Sequence, residues 1–128
     1  MKQSYELDAV CIRKILKHIK AINSAYTTFK IGNSENLEHN DICQLAITQA
    51  LTNIHQLRQK IQDETLAKVP LFAKLRLGLK AARNIASHDY DSLDFGIIYK
   101  ITNRLLDQAL IDELEAAKNV IEQSDQSD

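Results

Sequence analysis

The stretch RNIASHDY, residues 83–90, collects polar side chains that can act on a phosphate ester. Arg83 is permanently cationic, and its guanidinium can hold a phosphate through two parallel hydrogen bonds. His88 titrates near neutral pH and can therefore take up or release a proton during a reaction. Asn84 can orient the imidazole or a substrate, while Tyr90 offers a hydroxyl and a ring face for stacking. The stretch is therefore a candidate active site.

The spacing of these residues predicts how they share a helix. An ideal helix turns about 100° per residue, which puts Asn84 and His88, four residues apart, on one face. Arg83 and Tyr90 are seven residues apart and also align if the helix continues through the stretch. Arg83 and His88 are separated by roughly 140° around the axis, so the long arginine side chain has to reach back toward the imidazole.

Cleavage of RNA without a metal ion needs few parts, and this stretch supplies most of them. The ribose 2′-hydroxyl is an internal nucleophile, so the protein has to move protons and place a cation on the phosphate. Arg83 and His88 fit these two tasks. Asp89 and Asp91 are isolated and do not have the spacing of magnesium ligands, so we predict no metal site. The reaction needs one group that removes a proton and another that donates one, and the stretch has a single histidine. We therefore hypothesise a homodimer that brings two copies of His88 together.

A purely structural interpretation of the same stretch is also open. Cations near the C-terminus of a helix interact favourably with its dipole, and Asn and His are suited to helix ends. Judged on spacing alone, this interpretation is the stronger of the two.

The elements that would position the stretch are helices. Three Gly, one Pro, no Trp and 5% aromatic residues in 128 residues argue against a β-sandwich or barrel. Apolar residues recur every three or four positions over about 4–29, from near 36–40 to about 62, over about 71–88, and from after DYDSLD to about 122. We expect an all-α fold, an antiparallel bundle of four to five helices.

The apolar stripes predict which side chains form the core and where the helices begin. In the first two helices they comprise Ile12, Ile15, Ile19, Ile22, Tyr26, Phe29, Ile47, Leu51, Ile54 and Ile61, widened by Ile42 and Leu57. In the last two they comprise Leu71, Leu75, Leu79, Ala82, Leu93, Ile97, Ile98, Ile101, Leu105, Ile111 and Leu114. Pro70 suits the first turn of the third helix, and Asp91 or Ser92 could cap the fourth.

Charge is unevenly distributed along a chain of net charge −1. Residues 68–83 carry five basic side chains and no acidic one, whereas residues 107–128 carry seven acidic side chains against Lys118 alone. The overall balance excludes a generally basic nucleic-acid binder, but a local basic surface leading into RNIASHDY remains possible. Lys74, Arg76 and Lys80 are candidates to guide RNA, with a solvated helix face as the alternative.

Other features of the sequence predict an ordinary intracellular domain. Cys11 and Cys43 form no Cys-x-x-Cys pair, so we expect reduced, buried thiols in the cytoplasm. No signal peptide and no apolar run long enough for a membrane span is evident, and we expect no contact with a membrane. We predict one domain over residues 1–122 and a disordered acidic tail over 123–128.

The series in RNIASHDY resembles the motif of HepT-type toxins in the HEPN ribonuclease superfamily. That motif has Arg-Asn, a few small or apolar residues, His, any residue, Tyr, and an Asp a few places later, which Asp94 fits here. The order of helices is also similar, with two long helices, a Pro-led approach to the motif and a long final stretch. The resemblance covers roughly residues 4–120.

The resemblance implies a helical bundle that dimerises and places two motifs in one cleft. It implies a metal-independent endoribonuclease, without cofactor, that is the toxin of a toxin–antitoxin pair. Arg83 would stabilise the scissile phosphate, His88 would be the general acid and base, and Asn84 would position the substrate. Its partner would be a nucleotidyltransferase antitoxin that transfers AMP to Tyr90.

Two other functions remain open at this level. The chain could be a non-catalytic helical module that binds a nucleotidyltransferase, with RNIASHDY as the docking surface or modification target. It could also be a plain helical dimerisation domain with a capped helix end. The full Arg, His and Tyr series favours either of the first two functions, because capping alone does not require it.

Overall fold

A computed structural model describes residues 2–75 and 94–126, with side chains described for 6–75 and 94–123. The prediction of an all-α fold is confirmed for this part of the chain, which contains helices and no strand. Its seven helices are α1 (Lys2–Thr28), α2 (Ser34–Glu38), α3 (Asp41–Gln59), α4 (Asp63–Leu66), α5 (Pro70–Ala73), α6 (Phe95–Leu105) and α7 (Gln108–Gln126). α7 continues to Gln126, into the residues predicted as a disordered tail.

The long helix α1 is the centre of the fold and packs against both α3 and α7. Its predicted stripe is buried, from Ile12 to Tyr26. The helix ends in a Schellman motif, in which Ile31 N–H donates to Tyr26 O at 2.9 Å and Lys30 N–H donates to Thr27 O at 3.3 Å. Lys30 takes the left-handed conformation, with φ 55°, although Gly32 is only two residues away.

The predicted second helix corresponds to α3, which begins at Asp41, next to the predicted start near residues 36–40, and the short helix α2 precedes it. Asn33 caps α2 by accepting from Asn36 N–H at 2.8 Å, and Asn40 caps α3 by accepting from Cys43 N–H at the same distance. The side-chain amide of Gln44 donates to Leu37 O and Glu38 O, which satisfies carbonyls at the end of α2. Two cap residues, Asn33 and Asn40, thus start α2 and α3 in turn.

The short helix α4 lies in the predicted connection 63–69 and depends on α1. Asp8 of α1 is 1% exposed, and its carboxylate accepts from Gln62 N–H at 3.3 Å and from Thr65 Oγ1 at 2.5 Å. The Gln62 side-chain amide also donates to it, at 3.3 Å. A carboxylate at a helix N-terminus satisfies free N–H groups there, so Asp8 caps α4 from another helix.

The predicted fourth helix is divided at residues 106–107. Asp94 is the N-cap of α6, so the expected cap at Asp91 or Ser92 is wrong for this helix. α6 ends at Leu105, and α7 begins where Asp107 Oδ1 accepts from Ala109 N–H at 3.2 Å. The first turn of α5 does contain Pro70, as predicted. However, α5 ends at Ala73 and residues 74–75 form a turn, so the expected continuous helix from 71 is interrupted.

Most of the predicted core is buried in one cluster that spans α1, α3, α6 and α7. The prediction of a core position is wrong for three residues: Ile42 is 66% exposed, Ile97 is 52% exposed, and Leu71 is 39% exposed. Each of the three directly precedes a buried residue, Cys43, Phe72 or Ile98, and one residue is about 100° around a helix, so these side chains point away from the buried face. Phe72, which the sequence pattern did not single out, is fully buried beside Leu71.

Candidate active site

The predicted catalytic and modification residues lie outside the residues that the structure describes. These are Arg83, Asn84, His88 and Tyr90, together with two of the three predicted RNA-guiding residues, Arg76 and Lys80. The third, Lys74, is described and is exposed at the C-cap of α5. The roles of these residues therefore stay predictions, and the described flanks give the structural information about the site.

The approach to the candidate site is fastened to two other helices. Leu71 N–H of α5 donates to Glu113 Oε1 of α7 at 3.1 Å, and Arg58 Nη2 of α3 donates to Ala73 O at 3.3 Å. Phe72 and Leu75 are buried, with 0% and 4% of their surface exposed. Two helices and the core thus fix the backbone that leads into residue 76.

The exit from the candidate site is fixed by a helix cap. Asp94 Oδ1 accepts from Gly96 N–H at 2.9 Å and from Ile97 N–H at 3.3 Å. A Cβ added at Gly96 would lie 3.0 Å from that same oxygen, so the small residue leaves room for the cap. Asp94, which fits the last position of the family motif, therefore has a structural task at the start of α6.

The other histidines lie at separate places in the described part of the chain. His39 is exposed at the C-cap of α2, where its N–H donates to Glu35 O at 3.3 Å. His55 is half-buried on α3, with Nε2 3.2 Å from the side-chain amide of Gln59. His18 is half-buried on α1, and burial together with the charge of Lys17 lowers its pKa. The three histidines belong to different elements, α1, the end of α2 and α3.

The two thiols and one phenol of the core have environments unsuited to nucleophilic chemistry. Burial raises the pKa of Cys11 and of Cys43, which disfavours the reactive thiolate. Burial also raises the pKa of Tyr26 to about 12, although its hydrogen bond to Thr102 acts in the opposite direction. Both cysteines are free and buried, as predicted.

The described residues contain neither a cluster of metal ligands nor a helix that could span a membrane. Across residues 2–75 and 94–126, no three His, Cys, Asp or Glu side chains lie close enough to hold a metal ion. None of the helices in these ranges is long and apolar enough to cross a membrane.

Comparison of the chain with models of protein families, with curated proteins and with solved structures finds no match. The resemblance to HepT-type toxins therefore rests on the motif and on the order of the helices.

Proposed function

We propose that this chain is a metal-independent endoribonuclease, the toxin of a toxin–antitoxin pair, with Arg83 and His88 as its catalytic residues. The observation that carries the proposal is the complete Arg83, Asn84, His88 and Tyr90 series. A helix end needs one or two capping residues, whereas this series also includes a phosphate-binding cation and a proton-transfer group.

In the proposed reaction the ribose 2′-oxygen attacks the adjacent phosphorus while one His88 takes the hydroxyl proton. The bond from phosphorus to the 5′-oxygen breaks, and a second His88, protonated, gives its proton to that oxygen. The products are a 2′,3′-cyclic phosphate and a free 5′-hydroxyl. Arg83 stabilises the negative charge that builds up on the phosphate, and Asn84 positions the substrate. Two histidines in opposite protonation states require two chains, so we propose a homodimer.

The described flanks support the use of this segment as a site. Catalytic groups have to be held by a rigid frame. The residues on either side of the segment 76–93 are held in place, because Leu75 is buried in the core and Asp94 caps α6. Exposed apolar side chains support the proposed dimer. Ile42 and Leu45, three residues apart on α3 and so on neighbouring positions of one face, are 66% and 60% exposed.

The test compares wild type with His88→Ala, using His39→Ala as the matched control on an exposed histidine. Each purified protein is incubated with single-stranded RNA in EDTA, and the product ends are identified. We expect wild type and His39→Ala to produce 2′,3′-cyclic phosphates, and His88→Ala to lose 10²-fold or more in rate, about the contribution of general acid–base catalysis. Equal cleavage by His88→Ala and wild type would refute the assignment.

Control by a partner is a separate part of the proposal. In this step the Tyr90 oxygen would attack the α-phosphorus of an ATP bound by a nucleotidyltransferase antitoxin, losing its proton and releasing pyrophosphate. The attached AMP would put a negatively charged group where RNA phosphate has to bind. Coexpression followed by intact-mass measurement should show one or more added AMP groups, and Tyr90→Phe should show none. If AMP is added but wild type has no ribonuclease activity, the non-catalytic module that binds a nucleotidyltransferase is the better function.

A further inference from the structure

A groove of about 550 Å³ lies between α1 and α7, and neither Glu113 nor Arg58, which bind α5, is among the residues that line it. Its volume is within the range of about 300–1,000 Å³ that is typical of sites for small ligands. It lies wholly within the described residues, and no step of the proposed cleavage uses it.

The rim of the groove is strongly basic. Arg13, Lys17 and Lys20 of α1 line it at intervals of four and three residues, and Lys118 of α7 lies across from them. Neighbours at these intervals on a helix are about 5–6 Å apart at Cβ. Glu115 carries the one carboxylate among the described residues that line the groove. Four cations against one anion, in a chain of net charge −1, make this concavity a local site of positive potential.

The pKa of His18 is consistent with that potential. His18 lies next to Lys17 on α1, and the charge of Lys17 adds to burial in lowering its pKa.

The floor of the groove has a different chemistry from its rim. Leu16 and Ile19 of α1 line it together with Leu106, at the end of α6, and Ile111 of α7, and all four are at least half-buried. An inorganic anion would contact only the basic rim, and the apolar floor would stay exposed to water. A flat membrane surface would not enter a concave groove of this size. The combination fits a ligand with more than one negative charge and an attached planar, weakly polar group.

We infer that the groove between α1 and α7 binds a phosphorylated nucleoside, with phosphates against Arg13, Lys17 and Lys20 and the base over the apolar floor. Lys118 closes the phosphate side from α7. The same chemistry is presented by a free nucleotide and by a nucleotide unit within an RNA strand. The inference does not depend on the proposed ribonuclease activity, because it concerns binding at described residues.

Lys17→Glu tests the inference, and Lys14→Glu is its matched control. Lys14 is also exposed on α1, but its charge acts on the buried Cys11 and it does not line the groove. Calorimetric titration of each full-length protein would use ATP, inorganic triphosphate and a 2′-O-methyl RNA octamer, which lacks the nucleophile for cleavage. We expect Lys17→Glu to weaken binding by about tenfold or more, since a reversed charge at about 5 Å in water costs more than 1 kcal/mol. Lys14→Glu should leave binding within about twofold, because its charge is farther away and screened.

The three ligands separate the possible outcomes. Tighter binding of ATP than of inorganic triphosphate supports the role of the floor and assigns a free nucleotide. Saturable binding of the octamer alone, weakened by Lys17→Glu, supports the inference and assigns a unit of RNA. Equal binding of ATP and inorganic triphosphate, equal losses in the two variants, or no saturable binding by either nucleotide ligand would overturn it. Since no ligand is cleaved, these results are independent of whether His88 is catalytic.

Discussion

The Tyr26 hydroxyl of α1 lies 2.5 Å from Thr102 Oγ1 of α6, and both side chains are buried. Thr102 can in turn donate to Ile98 O at 3.0 Å or Tyr99 O at 2.9 Å, so the Tyr26 hydroxyl can donate to Thr102. The rings of Tyr26 and Tyr99 pack at a tilt, with centroids 5.7 Å apart. This contact ties the helix that follows the candidate site to the central helix of the fold.

Removing the Tyr26 hydroxyl should weaken this tie in a pH-dependent way. Tyr26→Phe should lower the free energy of unfolding by about 1 kcal/mol at neutral pH, because Thr102 keeps a backbone acceptor. The pKa of Tyr26 is raised to about 12 in the folded protein from 10.0, so the buried phenol stabilises the fold fully below pH 10. That contribution is lost as the pH rises toward 12. Denaturant titrations should therefore show a steeper fall for wild type than for Tyr26→Phe over this interval, and parallel curves would contradict the assignment.

Replacing Lys30 by glycine should stabilise the protein. Lys30 holds a left-handed φ of 55°, which glycine adopts without the steric cost of a Cβ. We expect Lys30→Gly to raise the free energy of unfolding by about 0.5–1 kcal/mol in urea titrations. Lys20→Gly, in the interior of the preceding helix α1, should lower the free energy of unfolding by about 1 kcal/mol. A destabilising Lys30→Gly would show that the lysine side chain has a role beyond the turn.

The cap of α6 should contribute to stability through Asp94. Asp94→Ala removes the acceptor for Gly96 N–H and Ile97 N–H, and should cost about 1 kcal/mol. Asp94→Asn retains a capping oxygen and should lower the free energy of unfolding by only a few tenths of a kcal/mol. Asp112→Ala, which removes an exposed carboxylate within α7, is the control and should have less effect than Asp94→Ala in thermal unfolding. Equal losses in all three variants would mean that the cap contributes little.

The proposed dimer should depend on the exposed apolar face of α3. Leu45→Lys places a charge on this face and should shift the chain to a monomer in analytical ultracentrifugation, since a charge is costly to bury in an interface. Leu7→Lys is a close control, because Leu7 of α1 is 62% exposed and Leu45 is 60% exposed. A dimer that persists in Leu45→Lys would exclude this face as the interface.

The sequence predicted the long elements well because apolar periodicity reports burial along a helix. The stripe from Ile12 to Tyr26 and the buried residues Ile47, Leu51 and Ile54 are examples. The same method joined helices that the structure divides, because apolar spacing can continue in register across a short break. Asp107 marks such a break between α6 and α7, and it is a cap residue that a periodicity count passes over.

The candidate site was less predictable than the fold, for a physical reason. A series such as Arg83, Asn84, His88 and Tyr90 specifies chemical groups but not whether they converge, and these residues lie outside the described ranges. Asp94 illustrates the ambiguity, since a residue that fits a functional motif also caps a helix. The basic groove could be predicted only in part. The spacing of Arg13, Lys17 and Lys20 was visible in the sequence, but the facing Lys118 is brought close only by the packing of α1 and α7.

The hydrogen bond from Leu71 N–H to Glu113 has a consequence for the order of synthesis. α5 is made well before α7, so its backbone N–H has no Glu113 to bind while the chain is still growing through residues 76–93. Domains made on the ribosome fold from the N-terminus as the chain emerges. The approach to the candidate site can therefore take its final position only after α7 has left the ribosome, which would delay any activity of that site until α7 is available.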